Sequence, residues 1–166
     1  GSECVVTGER TLAEVVVSEL GARSLVLAAA ESCTGGLIGA AVTEVPGSSA
    51  VFWGSVVSYA NDAKERVLGV RKSTLDANGA VSAECVREMA EGVRRISGSG
   101  VSLSVSGIAG PDGGTPDKPV GTVWFALSTS RGTMTERKHF PGGRDRVRRI
   151  ATTHGLLLLR RVALFA

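Results

Sequence analysis

The sequence predicts an α/β protein, a three-layer α/β/α sandwich around a mixed, mostly parallel sheet. Helical and strand periodicities alternate along the chain, as stacked layers of helix and sheet require. Two strand-like runs end directly in polar loops rich in glycine. A hairpin pattern arrives only late, which adds antiparallel pairing to a sheet that begins parallel.

Taken in order, Thr11 to Leu20 sets Leu12, Val15, Val16 and Leu20 on one helical face, with Gly21 as a stop. Ser24 to Ala30 is a short apolar run suited to a buried strand. The segment Glu31-Ser32-Cys33-Thr34-Gly35-Gly36 follows, and a helix from Gly35 to about Val42 comes next. Pro46-Gly47-Ser48-Ser49 signals a loop. Val51 to Tyr59 reads as a strand, and Asn61 as the cap of a short helix carrying Lys64. Ser82 is a natural N-cap for a helix reaching Ile96, in which Cys85, Met89 and Val93 recur every four residues. Val101 to Ser106 alternates strictly, the pattern of a half-buried strand. After the loop Gly107 to Pro119 come strands at Gly121 to Ser128 and Thr133 to Phe140, joined through Ser130-Arg131-Gly132. A last helix from Arg144 turns Val147, Ile150, Ala151, Leu157 and Leu158 inward.

The 166 residues suit one domain over 11–166, after a lead-in over 1–10 whose Gly1 and Ser2 look like an expression-tag remnant. The balance of 43% apolar and 21% charged residues is that of a soluble globular chain. No apolar run is long enough for a bilayer and no leader pattern is present, so no membrane partner and a cytoplasmic location are expected. Cys4, Cys33 and Cys85 are odd in number and widely spaced, which is neither a disulfide framework nor a zinc motif. The net charge of +3 favours a phosphate-bearing small molecule over nucleic acid.

Chemistry concentrates in four places. The turn Glu31 to Gly36, between strand and helix, can present backbone N–H groups to a phosphate or to an oxyanion; it can equally be a plain helix cap. Ser106 followed by Gly107, Gly110, Gly113 and Gly114 lets backbone approach a ligand, or forms a long surface loop. It lacks the ending of a phosphate-binding P-loop. Lys64, near Tyr59, becomes a base if burial lowers its pKa, although most lysines are solvated. Arg144 can bind an anion, or simply be one of the arginines solvating the last helix. No histidine or metal-ligand motif accompanies these loops, so no metal and no cofactor is expected. Cys33 ranks below Ser32 as a nucleophile.

Several stretches, read together, resemble the CinA C-terminal domain family. They are Ala30-Glu31-Ser32-Cys33-Thr34-Gly35-Gly36, Pro46-Gly47-Ser48-Ser49, Val57 to Lys64, Leu68-Gly69-Val70, Gly79-Ala80-Val81-Ser82, Ser106 to Pro111 and Lys118 to Val123. The resemblance covers Leu12 to the last helix, in order and at family spacing. It implies a metal-free amidase that hydrolyses nicotinamide mononucleotide to nicotinate mononucleotide and ammonia, in a homo-oligomer. By that resemblance Ser32 is the nucleophile, assisted by Lys64, Tyr59 and Ser106. Thr34, Gly35, Gly36, Gly47, Gly107, Pro119 and Arg144 line the substrate. Gly143 stands where the family carries an aspartate before this arginine, and Asp145 is the expected substitute. Larger family members carry a further N-terminal domain that a chain of this length does not accommodate. A different class of function, a non-catalytic module binding a pyridine nucleotide or a partner protein, is the alternative.

Overall fold

Thr11 opens the first helix with a reciprocal cap. Its hydroxyl accepts the Glu14 N–H at 3.2 Å, and the Glu14 carboxylate accepts the Thr11 N–H at 2.6 Å. The computed structural model describes residues 10–165, so the expected lead-in, Cys4 included, lies outside the described residues except for Arg10. Helix α1 spans Leu12–Ala22 and runs through Gly21, one residue past the expected stop. Ser24 then takes φ +52, and strand β1 (Leu27–Glu31) begins only after that turn.

Helix α2 (Leu37–Thr43) begins later than the sequence pattern suggests, because Gly35 and Gly36 both adopt positive φ. Strand β2 (Phe52–Val57) and helix α3 (Asn61–Leu68) follow; Ala60, not Asn61, occupies the N-cap of α3. Helix α4 (Lys72–Asn78) has no counterpart in the sequence reading. Only Thr74 and Leu75 of it are buried, too few to set a period. Helix α5 (Ala83–Ser97) is capped by Ser82 as expected, its hydroxyl accepting the Cys85 N–H. Strands β3 (Val101–Gly107), β4 (Thr122–Thr129) and β5 (Gly132–His139) precede the last helix, α6 (Arg144–Phe165).

The five strands pair in the order β2-β1-β3-β4-β5. Strand β1 is parallel to β2 and β3, while β4 is antiparallel to both β3 and β5. Four strands therefore run one way and β4 alone runs back. Leu27 and Ala29 of β1 pack with α1, α2 and α6, whereas Ala28 and Ala30 face α5. Helices α3 and α4 pack on α5, completing the third layer.

Strand β3 corrects one expectation. It is buried on both faces rather than one. Val101, Leu103 and Val105 enter the core under α6, and Ser102 and Ser104 point at α5. Their hydroxyls donate to Ala90 O at 2.7 Å and Val86 O at 2.6 Å, which removes the cost of burying them. The close seat of α3 on α5 depends on Gly92, where a Cβ would stand 2.0 Å from Leu68 O. That contact fixes the helix carrying Lys64.

Candidate active site

Strands β1, β2 and β3 all finish at one end of the sheet, and their carboxyl-terminal loops meet there. Ser32 leaves β1 and stays tied to the neighbouring strand, its N–H donating to Val105 O at 3.0 Å. Ser58 leaves β2 with its N–H on Glu31 O at 2.9 Å. Lys64 enters from α3 and is buried, only 1% exposed. Its Nζ lies 3.1 Å from Ser32 Oγ, 2.7 Å from Ser58 O and 3.1 Å from Tyr59 O.

These three neighbours fit either state of the amine, since an ammonium donates to all three. Burial disfavours the ammonium and lowers the Lys64 pKa; Cys85 and Cys33 oppose that shift only as weaker contributions. A neutral amine has two N–H donors and one lone pair. Two carbonyls and one hydroxyl match it, the carbonyls accepting and the Ser32 hydroxyl donating to nitrogen. The arrangement can take a proton from Ser32.

The turn after Ser32 is held from within by Glu31, which is fully buried. Its carboxylate accepts from Thr34 Oγ1 (2.6 Å), Gly36 N (3.0 Å), Ile38 N (3.1 Å), Gly39 N (2.9 Å) and Ser55 Oγ (2.8 Å). A negative group on the first turn of α2 also meets the positive end of the helix dipole. The protein's own carboxylate thus fills the place where a ligand phosphate was conceivable. Of the turn's N–H groups, Gly35 donates to Ser32 O and Gly36 to Glu31. That of Cys33 meets its own side-chain sulfur, and that of Thr34 is in no hydrogen bond among the described residues.

Other expected site residues fall into place unevenly. Ser106 is buried at the end of β3, on the α5 side of the sheet by alternation with Ser102 and Ser104. Tyr59 is exposed; its carbonyl accepts from Lys64, while its Oη accepts from Arg144 Nη2 at 2.8 Å. Arg144 also donates to Gly110 O at 3.1 Å, linking α6 to the glycine loop. Pro119 is exposed where that loop re-enters the sheet, its carbonyl accepting from Thr122. Gly107 packs where a Cβ would stand 3.1 Å from Cys33 Sγ and 2.7 Å from Val123. Thr34 is fully buried, its side-chain hydroxyl donating to Glu31.

Two expectations need correction, while the ranking of Cys33 below Ser32 agrees with the structure. Gly47 precedes β2, so parallel pairing puts it at the opposite end of the sheet, roughly 16 Å away along five strand residues, and not beside Ser32. Asp145 pairs with Arg149 rather than with Arg144. Cys33 is buried and its thiol is pushed up to about 12, chiefly by desolvation, so it stays protonated and inert near neutral pH.

The sequence reading gave no role to Glu31 or Arg148. Arg148 sits one turn after Arg144 on α6, and that i, i+4 spacing was the available signal. Among the described residues, no group of three His, Cys, Asp or Glu side chains could hold a metal ion. No described helix is long and apolar enough to cross a membrane.

A buried lysine against a serine hydroxyl, at the carboxyl end of parallel strands in a three-layer sandwich, defines a class of α/β domain with a serine–lysine pair at its centre. The chain belongs to the CinA C-terminal domain family, whose model matches residues 9–163. It is 51% identical to a CinA-like protein of Geobacter metallireducens over 158 residues, covering 95% of this chain and 38% of that one. The chain spans about two fifths of the length of such relatives. Among solved structures, a competence-damaged protein (CinA) superfamily protein from Klebsiella pneumoniae matches with TM-score 0.90 and 36% identity, over 93% of this chain and 97% of that one. A competence/damage inducible protein from Agrobacterium tumefaciens matches with TM-score 0.88 and 39% identity, over 93% and 94%.

Proposed function

We propose that this domain is an amidohydrolase acting on nicotinamide mononucleotide, releasing ammonia and nicotinate mononucleotide through Ser32. The observation that carries the reading is the contact of Lys64 Nζ with Ser32 Oγ at 3.1 Å, made by an amine that burial holds towards its neutral form. In this reading Lys64 takes the Ser32 proton as Oγ attacks the carboxamide carbon. The carbonyl π bond opens and its electron pair becomes the oxyanion. The N–H of Thr34, in no hydrogen bond among the described residues, is the donor of the turn left for that oxygen. As the tetrahedral species collapses, the C–N bond breaks and Lys64 returns the proton to the leaving nitrogen, giving ammonia and an acyl-serine. Water then adds to the acyl carbon, giving its proton to Lys64; the bond from that carbon to Ser32 Oγ breaks, Lys64 returns the proton to Oγ, and the nicotinate leaves.

Arg144, exposed at the start of α6 and bonded only to the neutral oxygens of Tyr59 and Gly110 in the interactions described above, suits the phosphate of such a substrate. The nucleotide itself is supported by the family's motifs, which this chain carries in register.

Ammonia release from nicotinamide mononucleotide by the purified protein tests the reading, with Ser32→Ala alongside. Release that disappears in the variant is expected. Binding without release would leave a nucleotide-binding module and remove the amidase reading.

A further inference from the structure

Arg148 reaches the nucleophile turn from α6. Its Nε donates to Cys33 O at 3.1 Å and its Nη2 to Thr34 O at 3.2 Å, so one guanidinium edge spans two successive carbonyls. In a trans peptide the C=O and the following N–H point in opposite directions. Holding Cys33 O therefore turns the Thr34 N–H away from the guanidinium. Thr34 O also accepts the Leu37 N–H at 3.2 Å and the Gly35 N–H donates to Ser32 O at 3.0 Å, so only the first plane depends on Arg148 alone. The Thr34 N–H itself is in no hydrogen bond among the described residues.

Two further observations bear on this contact. Gly35 has φ +59, and a Cβ there would lie 3.2 Å from Arg148 Nη2, so the absent side chain leaves the guanidinium its room. Among the described residues no carboxylate pairs with Arg148, whereas its neighbour Arg149 pairs with Asp145. Lysine cannot copy the contact, because its single ammonium lacks the flat two-point edge of arginine.

We propose that Arg148 is a positioning residue: it locks the Cys33–Thr34 peptide plane and keeps the Thr34 N–H directed at the oxygen that becomes negative. The proposal rests on the reading of Ser32 as nucleophile, and Arg148 itself touches no substrate.

An alkyl fluorophosphonate tests it without reference to the natural amide. Ser32 Oγ bonds to phosphorus, the P–F bond breaks, fluoride leaves and the serine proton passes to Lys64. Mass spectrometry of the Ser32 peptide gives the rate. Wild-type protein is expected to be labelled at Ser32, and Arg148→Met to slow labelling by about 100-fold, the loss expected for one misdirected oxyanion donor. Arg148→Lys, which keeps the charge but not the fork, is expected to slow it by about tenfold. The pH midpoint of labelling, set by Lys64, stays unchanged in both.

Labelling of Arg148→Met within twofold of wild type would overturn the proposal, as would absence of Ser32 labelling in the wild type. A midpoint that moves with the substitution would also overturn it, because Arg148 would then act through Lys64. If circular dichroism finds Arg148→Met unfolded, Arg148→Lys decides alone. Ser32 labelling slowed in the variants, without ammonia release from the mononucleotide, would sink the substrate reading and leave this one standing.

Discussion

At the end of the sheet where β1, β2 and β3 finish, polar groups are buried and matched: Lys64 on Ser32, Glu31 on five donors, Arg148 on two carbonyls. At the opposite end, a cavity of about 610 Å³ opens beside Leu25, Val101, Leu127 and Met134, with Arg23 and Thr133 at its wall. The cavity has volume and apolar surface, yet among the described residues no carboxylate, histidine, cysteine or lysine lines it. The described lining therefore offers its hydroxyls no general base. Volume is the usual first guide to a site, but here desolvated, paired chemistry is the better one. The difference follows from strand direction, since parallel strands bring several loop starts and the first turn of α2 to the same end.

The largest expected effect falls at the first end. Lys64→Met should lower kcat/KM for amide hydrolysis by roughly 10²- to 10⁴-fold, the range for loss of a general base. In the wild type, activity should climb with pH through a midpoint below the ordinary lysine value, and that limb should vanish in the variant. Stability follows the same sign. The folded pKa is depressed, so the unfolded chain binds more protons, and stability rises as pH climbs from the depressed value to the ordinary one. Calorimetric melting across that range should show the rise in wild type but not in Lys64→Met. A rate limb unchanged by the substitution would assign the base elsewhere and dissolve the contrast between the two ends.

Much of this contrast was legible in the sequence. Ser82 as a cap, the strand–glycine junctions at Glu31 and Ser106, and the late hairpin are local signals, and local signals survive folding. What escaped depends on distance in the chain. Gly47 belongs to a recognisable motif, yet only strand pairing reveals that it sits at the far end. Arg148 is 115 residues from Cys33, and among several arginines on one helix nothing in composition separates it from a solvated neighbour. Alternating serines in β3 read as half-buried because hydroxyls satisfied by the carbonyls of α5 leave no trace in a hydropathy pattern. Helix α4 buries too little to leave any period.

A smaller but still large effect is expected for Glu31→Gln. The amide keeps one acceptor oxygen and turns a donor towards N–H or hydroxyl groups that need an acceptor. The loss should be about 3 kcal/mol, which at this chain length lowers Tm by roughly 10 °C. Thermal unfolding followed by circular dichroism measures it. A change under about 1 kcal/mol would mean that the carboxylate merely fills space, and that the nucleophile turn is held by its backbone alone.

The smallest effects belong to the far end, where they sharpen the comparison most. Met134 is 55% exposed and Arg23 donates to Glu19 O within its own helix. Neither touches a residue described at the serine end. Met134→Ser and Arg23→Ala should each leave kcat within twofold, and stability within about 0.5 kcal/mol, as surface substitutions usually do. Steady-state kinetics and melting on the two variants check this. A fall in kcat with unchanged melting would require the cavity to communicate along β1 or β3 with Ser32. The two ends would then be one device, and the cavity a place from which the serine is controlled. Silence in both measurements leaves the cavity a gap beside the β4–β5 turn, and puts the chemistry wholly where burial, a nucleophile and a base coincide.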